Sequence, residues 1–196
     1  MKTVIGVLFL FASTVGYPQT DAVATGRDHA EFDFRPGGSL KLDLCSGEVR
    51  IEGTDQDKVR VRYDNDNSHS LSGVKVLFYS SGNSGELHVS GGPKNHFELV
   101  VQVPRFTNLR IRVPAGEVEV SGITGDKDVE LHAGELTIAP VRSEDYYHLD
   151  ASVTTGELDA GDFSVFKGGL FRSFSTGGPG KYRLHAHVGA GQLTLD

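Results

Sequence analysis

The sequence predicts an all-β single domain: a β-solenoid-like stack of short strands joined at glycine-containing bends, with a β-sandwich as the alternative. The first observation is a phrase written six times: Gly, then an acidic or amide residue, then an aliphatic residue, then alternation. The copies begin at Gly47, Gly85, Gly116, Gly134, Gly156 and Gly191, as in Gly116-Glu117-Val118-Glu119-Val120 and Gly134-Glu135-Leu136-Thr137-Ile138. Self-similarity of this kind marks an array of one small unit that buries its apolar face only against its neighbours. The second is strict period two on both sides of most of these glycines, the mark of strands with one buried face. The third is composition. Gly supplies 25 of 196 residues, well above an average share of about 7%, and no helical periodicity is sustained past residue 16.

In chain order, residues 1–16 differ from the rest. Lys2 supplies a positive start, and Val4 through Phe11 an apolar run too short to span a bilayer. This predicts a secretory signal peptide, cleaved after Gly16 or after the small-x-small triplet ending at Ala24. Signal peptide and leader thus take residues 1–24, and the β-repeat domain residues 25–196. Residues 17–31 read as a flexible leader. Val59-Arg60-Val61-Arg62-Tyr63 and Leu99-Val100-Val101-Gln102-Val103 are the clearest early strands, separated by polar loops at 64–70 and 80–85. From Asn108 the units become regular: Leu109–Val113 leads to Gly116, Val129–Ala133 to Gly134, and Tyr182–Val188 to Gly191. Gly116 and Gly134 stand about 18 residues apart, Gly134 and Gly156 about 22, spacings that suit coils better than hairpins. Glycine fits the bends because it adopts positive φ without a steric penalty. An insertion from roughly Phe163 to Lys181 carries Phe163, Phe166, Phe171 and Phe174. Its predicted role is to cap the apolar interior, because an open stack end exposes unpaired strand edges. Val118, Val120, Leu136 and Ile138 are expected to point inward, and Glu117, Glu119, Glu135 and Thr137 outward.

The formal net charge is −7, with signs alternating along strands and no basic stripe, which argues against a nucleic-acid partner. No second apolar run follows the first, so no transmembrane segment is expected in the mature chain. Cys45 is the one cysteine and cannot form an internal disulfide. Alternation from Leu40, Leu42 and Leu44 places it on the polar side or in a turn.

Few constellations suggest chemistry. Asp64-Asn65-Asp66-Asn67-Ser68 opens like a calcium loop, but His69 and Lys75 stand where that loop needs Gly and Glu. His185 and His187 share one strand face, yet a zinc site needs another ligand, for which His132 and His148 have no supporting spacing. Gly177-Gly178-Pro179-Gly180-Lys181 lacks the first glycine and the hydroxyl residue of a phosphate loop. The pairs Glu117 and Glu119, and Glu130 and Glu135, read as solvated strand charges, since acid–base work requires a carboxylate in a pocket. The sequence thus supplies no catalytic, cofactor-binding or metal-binding residue, and no cofactor is expected.

Phe97-Glu98-Leu99-Val100-Val101-Gln102-Val103-Pro104, then Asn108-Leu109-Arg110-Ile111 and Gly116-Glu117-Val118-Glu119-Val120-Ser121-Gly122, resembles the bacterial "putative adhesin" group of β-strand-repeat proteins. The closing run from Gly178 to Gly191 is similar to exported members. The resemblance covers about residues 37–196. It implies a β-solenoid-like domain, export or envelope association, and no established activity. The resulting expectation is a non-enzymatic exported scaffold or binding module in the periplasm, outer envelope or medium. Its partner would be an envelope protein or surface glycan. The alternative is a carbohydrate-active solenoid enzyme.

Overall fold

The computed structural model describes residues 20–25, 29–65, 71–93 and 96–196. The signal-peptide segment and most of the polar loop after Asp64 lie outside the described residues. Thirteen strands form one continuous sheet, and among the described residues no α-helix occurs. The all-β prediction holds.

Its frame is a set of long strands that bend midway: β9 (Asn108–Ser121), β10 (Lys127–Ala139), β11 (Tyr146–Ala160), β12 (Val165–Thr176) and β13 (Tyr182–Leu195). Within β9, Leu109, Ile111 and Val113 are buried before the bend, and Val118 and Val120 after it. The inward parity therefore switches across Pro114–Glu117. Two apolar wings result, and they share one hydrophobic cluster. The first wing of β9 pairs in parallel with β3 (Ser39–Asp43), and the second with β4 (Gly47–Thr54). Beyond this split the wings continue as separate branches of the sheet. β7 (Ser84–Ser90), β6 (Lys75–Ser81) and β1 (Thr20–Thr25) extend the first. β8 (Phe97–Pro104), β5 (Lys58–Asn65) and β2 (His29–Asp33) extend the second. The bent strands lie at one end of the sheet order, and the two separate branches at the other.

The bends stand in register. Gly47 pairs with Gly116, Gly116 with Gly134, Gly134 with Gly191, and Gly191 with Gly156. All five have φ between +130° and +150°, a region L side chains rarely enter. A Cβ on Gly116, Gly134, Gly191 or Gly156 would collide with the carbonyl oxygen of the neighbouring glycine, far inside 3.0 Å. Only glycine lets the bent strands stack at sheet spacing. The sixth copy is an exception: Gly85 has no positive φ and lies in β7, which enters from a hairpin turn at Gly82. Its phrase is a plain hairpin strand rather than a bend.

Two further expectations are corrected. Residues 20–25 and 29–33 are strands rather than a flexible leader: Ala24 pairs with Val76, and Phe32 with Val59. The insertion is not a plug but an edge strand, β12, paired antiparallel along β11. Phe163 and Phe174 do tuck against the core, with ring centroids 5.3 Å apart. Phe166 and Phe171 remain exposed, because a strand attached by one edge lacks a second layer to cover them. The stack also departs from chain order, since β13 inserts between β10 and β11. Cys45 sits in the β3–β4 connection, half-buried, and burial pushes its thiol pKa up.

The glycine row predicts an asymmetric cost. Gly134→Ala should destabilise the fold by about 3 kcal/mol or more, through strained backbone and a displaced neighbouring strand. Gly82→Ala also has positive φ but meets nothing within 4 Å, and should cost about 1 kcal/mol. Urea unfolding of both variants checks the difference; equal costs would mean the row does not set the bends.

Candidate functional site

In-register stacking turns the outward positions of each strand into rows that cross the sheet. On the first wing one row runs Glu86, Lys41, Arg110, Asp128, His185, Asp150. The next runs His88, Asp43, Arg112, Glu130, His187, Ser152. Opposite charges meet across strands. Lys41 Nζ lies 2.9 Å from Glu86 and 2.7 Å from Asp43. Arg112 reaches Glu130 at 2.8 Å and Asp128 at 3.3 Å, and Arg110 reaches Asp128 at 3.4 Å. Nearby carboxylates accept hydrogen bonds from Lys41 and raise its pKa, chiefly through Asp43 and then Glu86. This face is a ribbon of paired charge with imidazoles set into it.

The histidine pair lies in that ribbon, on the outward face its alternation indicated. His185 Nδ1 is 3.0 Å from Asp150 Oδ1, and His187 Nδ1 is 2.9 Å from Ser152 Oγ. The neighbours brought to His185 are Asp128 and Glu130, not His132 or His148. Ligand atoms of Asp128, Glu130 and His185 lie within 4.8 Å of one another. They could hold a cation, but Arg110 and Arg112 already neutralise both carboxylates. Ser152, His187 and Glu130 stand in one row without forming a nucleophilic triad. Glu130 is held by Arg112, and the backbone N–H groups that would stabilise an oxyanion are committed to the sheet.

A shallow cavity of about 390 Å³ lies beside the bend, lined in part by Asp43, His88, Arg112, Glu130, His132 and His187. On the second wing the first outward position after the bend forms an acidic row: Glu98, Glu48, Glu117, Glu135, Gln192, Glu157. Arg50 bridges Glu48 and Glu98 and lies 4.0 Å from Glu119. Glu117 and Glu135 are exposed and line none of the main cavities. The acidic row exists, but on an open surface.

No protein-family description matches the chain, and no curated protein matches it. Solved structures do. A putative cell adhesion protein from Clostridium sporogenes superposes with a TM-score of 0.52 at 15% identity, covering 91% of this chain and 99% of that one. The likeness is one of fold. A putative adhesin from Bacteroides fragilis matches at TM-score 0.35 and 8% identity, over 89% of this chain and 97% of that one. The fold likeness to the Clostridium protein agrees with the all-β architecture that the sequence resemblance implied. No helix among the described residues is long and apolar enough to cross a membrane.

One residue escaped the sequence reading. Lys127 opens β10 at an inward position and is 4% exposed. Burial lowers its pKa to about 8. The alternation Lys127-Asp128-Val129-Glu130-Leu131 already placed it inward, a signal that is easily passed over at a strand end.

Because the polar rows are self-neutralising, folding should not depend on metal. Thermal melts with and without EDTA are expected to coincide, and Arg112→Ala should cost about 1 kcal/mol, because its carboxylate partners Asp128 and Glu130 stay partly exposed to water. A melting temperature that falls on chelation would make Asp128, Glu130 and His185 a metal site.

Proposed function

We propose that this protein is an exported, non-enzymatic binding module of the cell envelope or its surroundings, whose first-wing ribbon holds a surface glycan. The supporting observation is the pair of polar rows from β7 to β11. They present charges, imidazoles and hydroxyls at the regular strand spacing of about 4.8 Å, on a frame fixed by its core. Such a surface suits an extended polar polymer gripped at many weak points. The likeness to a protein described as a cell adhesion protein supports a binding role. The open face supports it over catalysis, since no carboxylate of the ribbon is both enclosed and free of a cationic partner.

Export rests on the apolar run of residues 4–11. Cleavage after Gly16 would leave β1 whole, whereas cleavage after Ala24 would remove nearly all of it from its pairing with β6. We place the cut after Gly16.

Fractionation of producing cells should find the protein outside the cytoplasm, with an N-terminus at residue 17. An N-terminus at residue 25, or retention in the cytoplasm, would overturn that part. Applied to a panel of acidic and neutral polysaccharides, the protein should bind at least one and release no new reducing ends. Reversing the ribbon with Arg112→Glu and Glu130→Lys should abolish binding, while Glu117→Gln and Glu135→Gln should leave it unchanged. Product release would instead support the carbohydrate-active alternative.

A further inference from the structure

The row of inward residues at the first-wing entrance reads Leu40, Leu109, Lys127, Leu184, Leu149 across adjacent strands. Four are buried leucines; the fifth is a buried amine. A leucine would fit this row without electrostatic cost, whereas a buried ammonium is expensive unless paired. The pairing is incomplete. Lys127 Nζ donates to the Tyr146 hydroxyl at 2.7 Å and reaches the Gly125 carbonyl at 3.4 Å. Among the described residues no carboxylate approaches within salt-bridge distance. An ammonium carries three donors, so one is left without a protein acceptor.

That amine borders a cavity of about 230 Å³, whose wall includes Arg105, Arg142, Asp145, Tyr146 and Tyr182. Arg105 is held by Asp55, Nε to Oδ1 at 3.2 Å. Arg142 has no ion pair among the described residues. Three cations and two phenols therefore line one small space against a single carboxylate.

We propose that this cavity binds a small oxyanion, the carboxylate or phosphoryl group of a ligand, between the Lys127 ammonium and the guanidinium groups of Arg105 and Arg142. The site goes beyond the glycan reading and lies off the outward ribbon. An oxyanion supplies the acceptor that Lys127 lacks and the charge partner that Arg142 lacks, and charge-assisted bonds of this kind are the strong ones. Asp145 faces the same space and limits the site to one compact anion.

The titratable and charged groups around Lys127 and its cavity are Tyr146, Tyr182, Asp145, Asp126, Arg105 and Arg142. Desolvation holds the Lys127 pKa near 8, with Asp145 and Asp126 opposing it. Burial pushes Tyr146 to about 12, so its phenol stays protonated across this range. A bound anion favours the charged amine and raises its pKa. Affinity must then fall as pH rises through about 8.

The test is an NMR titration of the Lys127 amine in the full chain, alone and with inorganic phosphate or acetate. Lys127→Leu assigns the signal. A saturable rise of the titration midpoint is expected; phosphate acting alone would indicate a phosphoryl ligand, acetate alone a carboxylate, and both a general oxyanion site. Arg142→Gln, an exposed change, should weaken binding about tenfold or more without moving the melting temperature. Lys127→Leu should melt no lower than the parent and show no binding by calorimetry. The proposal is overturned if neither anion shifts the midpoint, or if Arg142→Gln binds as tightly as the parent.

Discussion

Where one bent strand meets the next, the carbonyl oxygen of one glycine occupies the place a neighbour's side chain would need. Gly47, Gly116, Gly134, Gly191 and Gly156 stack in this way. Everything else depends on that contact. It permits a turn within a strand without loss of register, so each long strand serves both wings. Because the turn falls at the same place in every strand, the leucines and valines on either side align into continuous buried rows. A Cβ anywhere in the row would push two strands apart and open both wings at once.

The same register organises the surface. Neighbouring coils place equivalent outward residues side by side, so small sequence differences between copies become patterns across the sheet. On the first wing the copies carry both signs, and the charges neutralise one another. On the second wing they do not: the position after the bend is nearly always Glu, giving an acidic row relieved at one end by Arg50. Parallel in-register stacking makes like charges neighbours unless the copies diverge. The molecule thus carries a mixed-charge face and an acidic face on one rigid frame. Both are open surfaces.

The two departures from the repeat are the most informative about activity. β12 ends the stack by pairing antiparallel along β11, leaving Phe166, Leu170 and Phe171 uncovered. Lys127 replaces a leucine in the core and is held by a phenol rather than a carboxylate. Each is disfavoured by folding alone, and the second borders a cavity rich in cations.

By itself the sequence determined the strand content, the bends, and which residues face inward. Val118, Val120, Leu136 and Ile138 are buried, and Glu117, Glu119 and Glu135 exposed, as their alternation dictated. Those properties are local: period two and glycine's freedom at positive φ operate over a handful of residues. Tertiary structure alone decided that Gly85 belongs to a hairpin, that residues 20–25 join the sheet, and that β13 slides between β10 and β11. It also decided that His185 meets Asp128 and Asp150 rather than another histidine, and that Lys127 shares a cavity with Arg105 and Arg142. Those properties are relations between strands far apart in the chain. Every coil has nearly the same apolar face, so alternation cannot say which coil packs on which; only the closing of the whole sheet selects the neighbours.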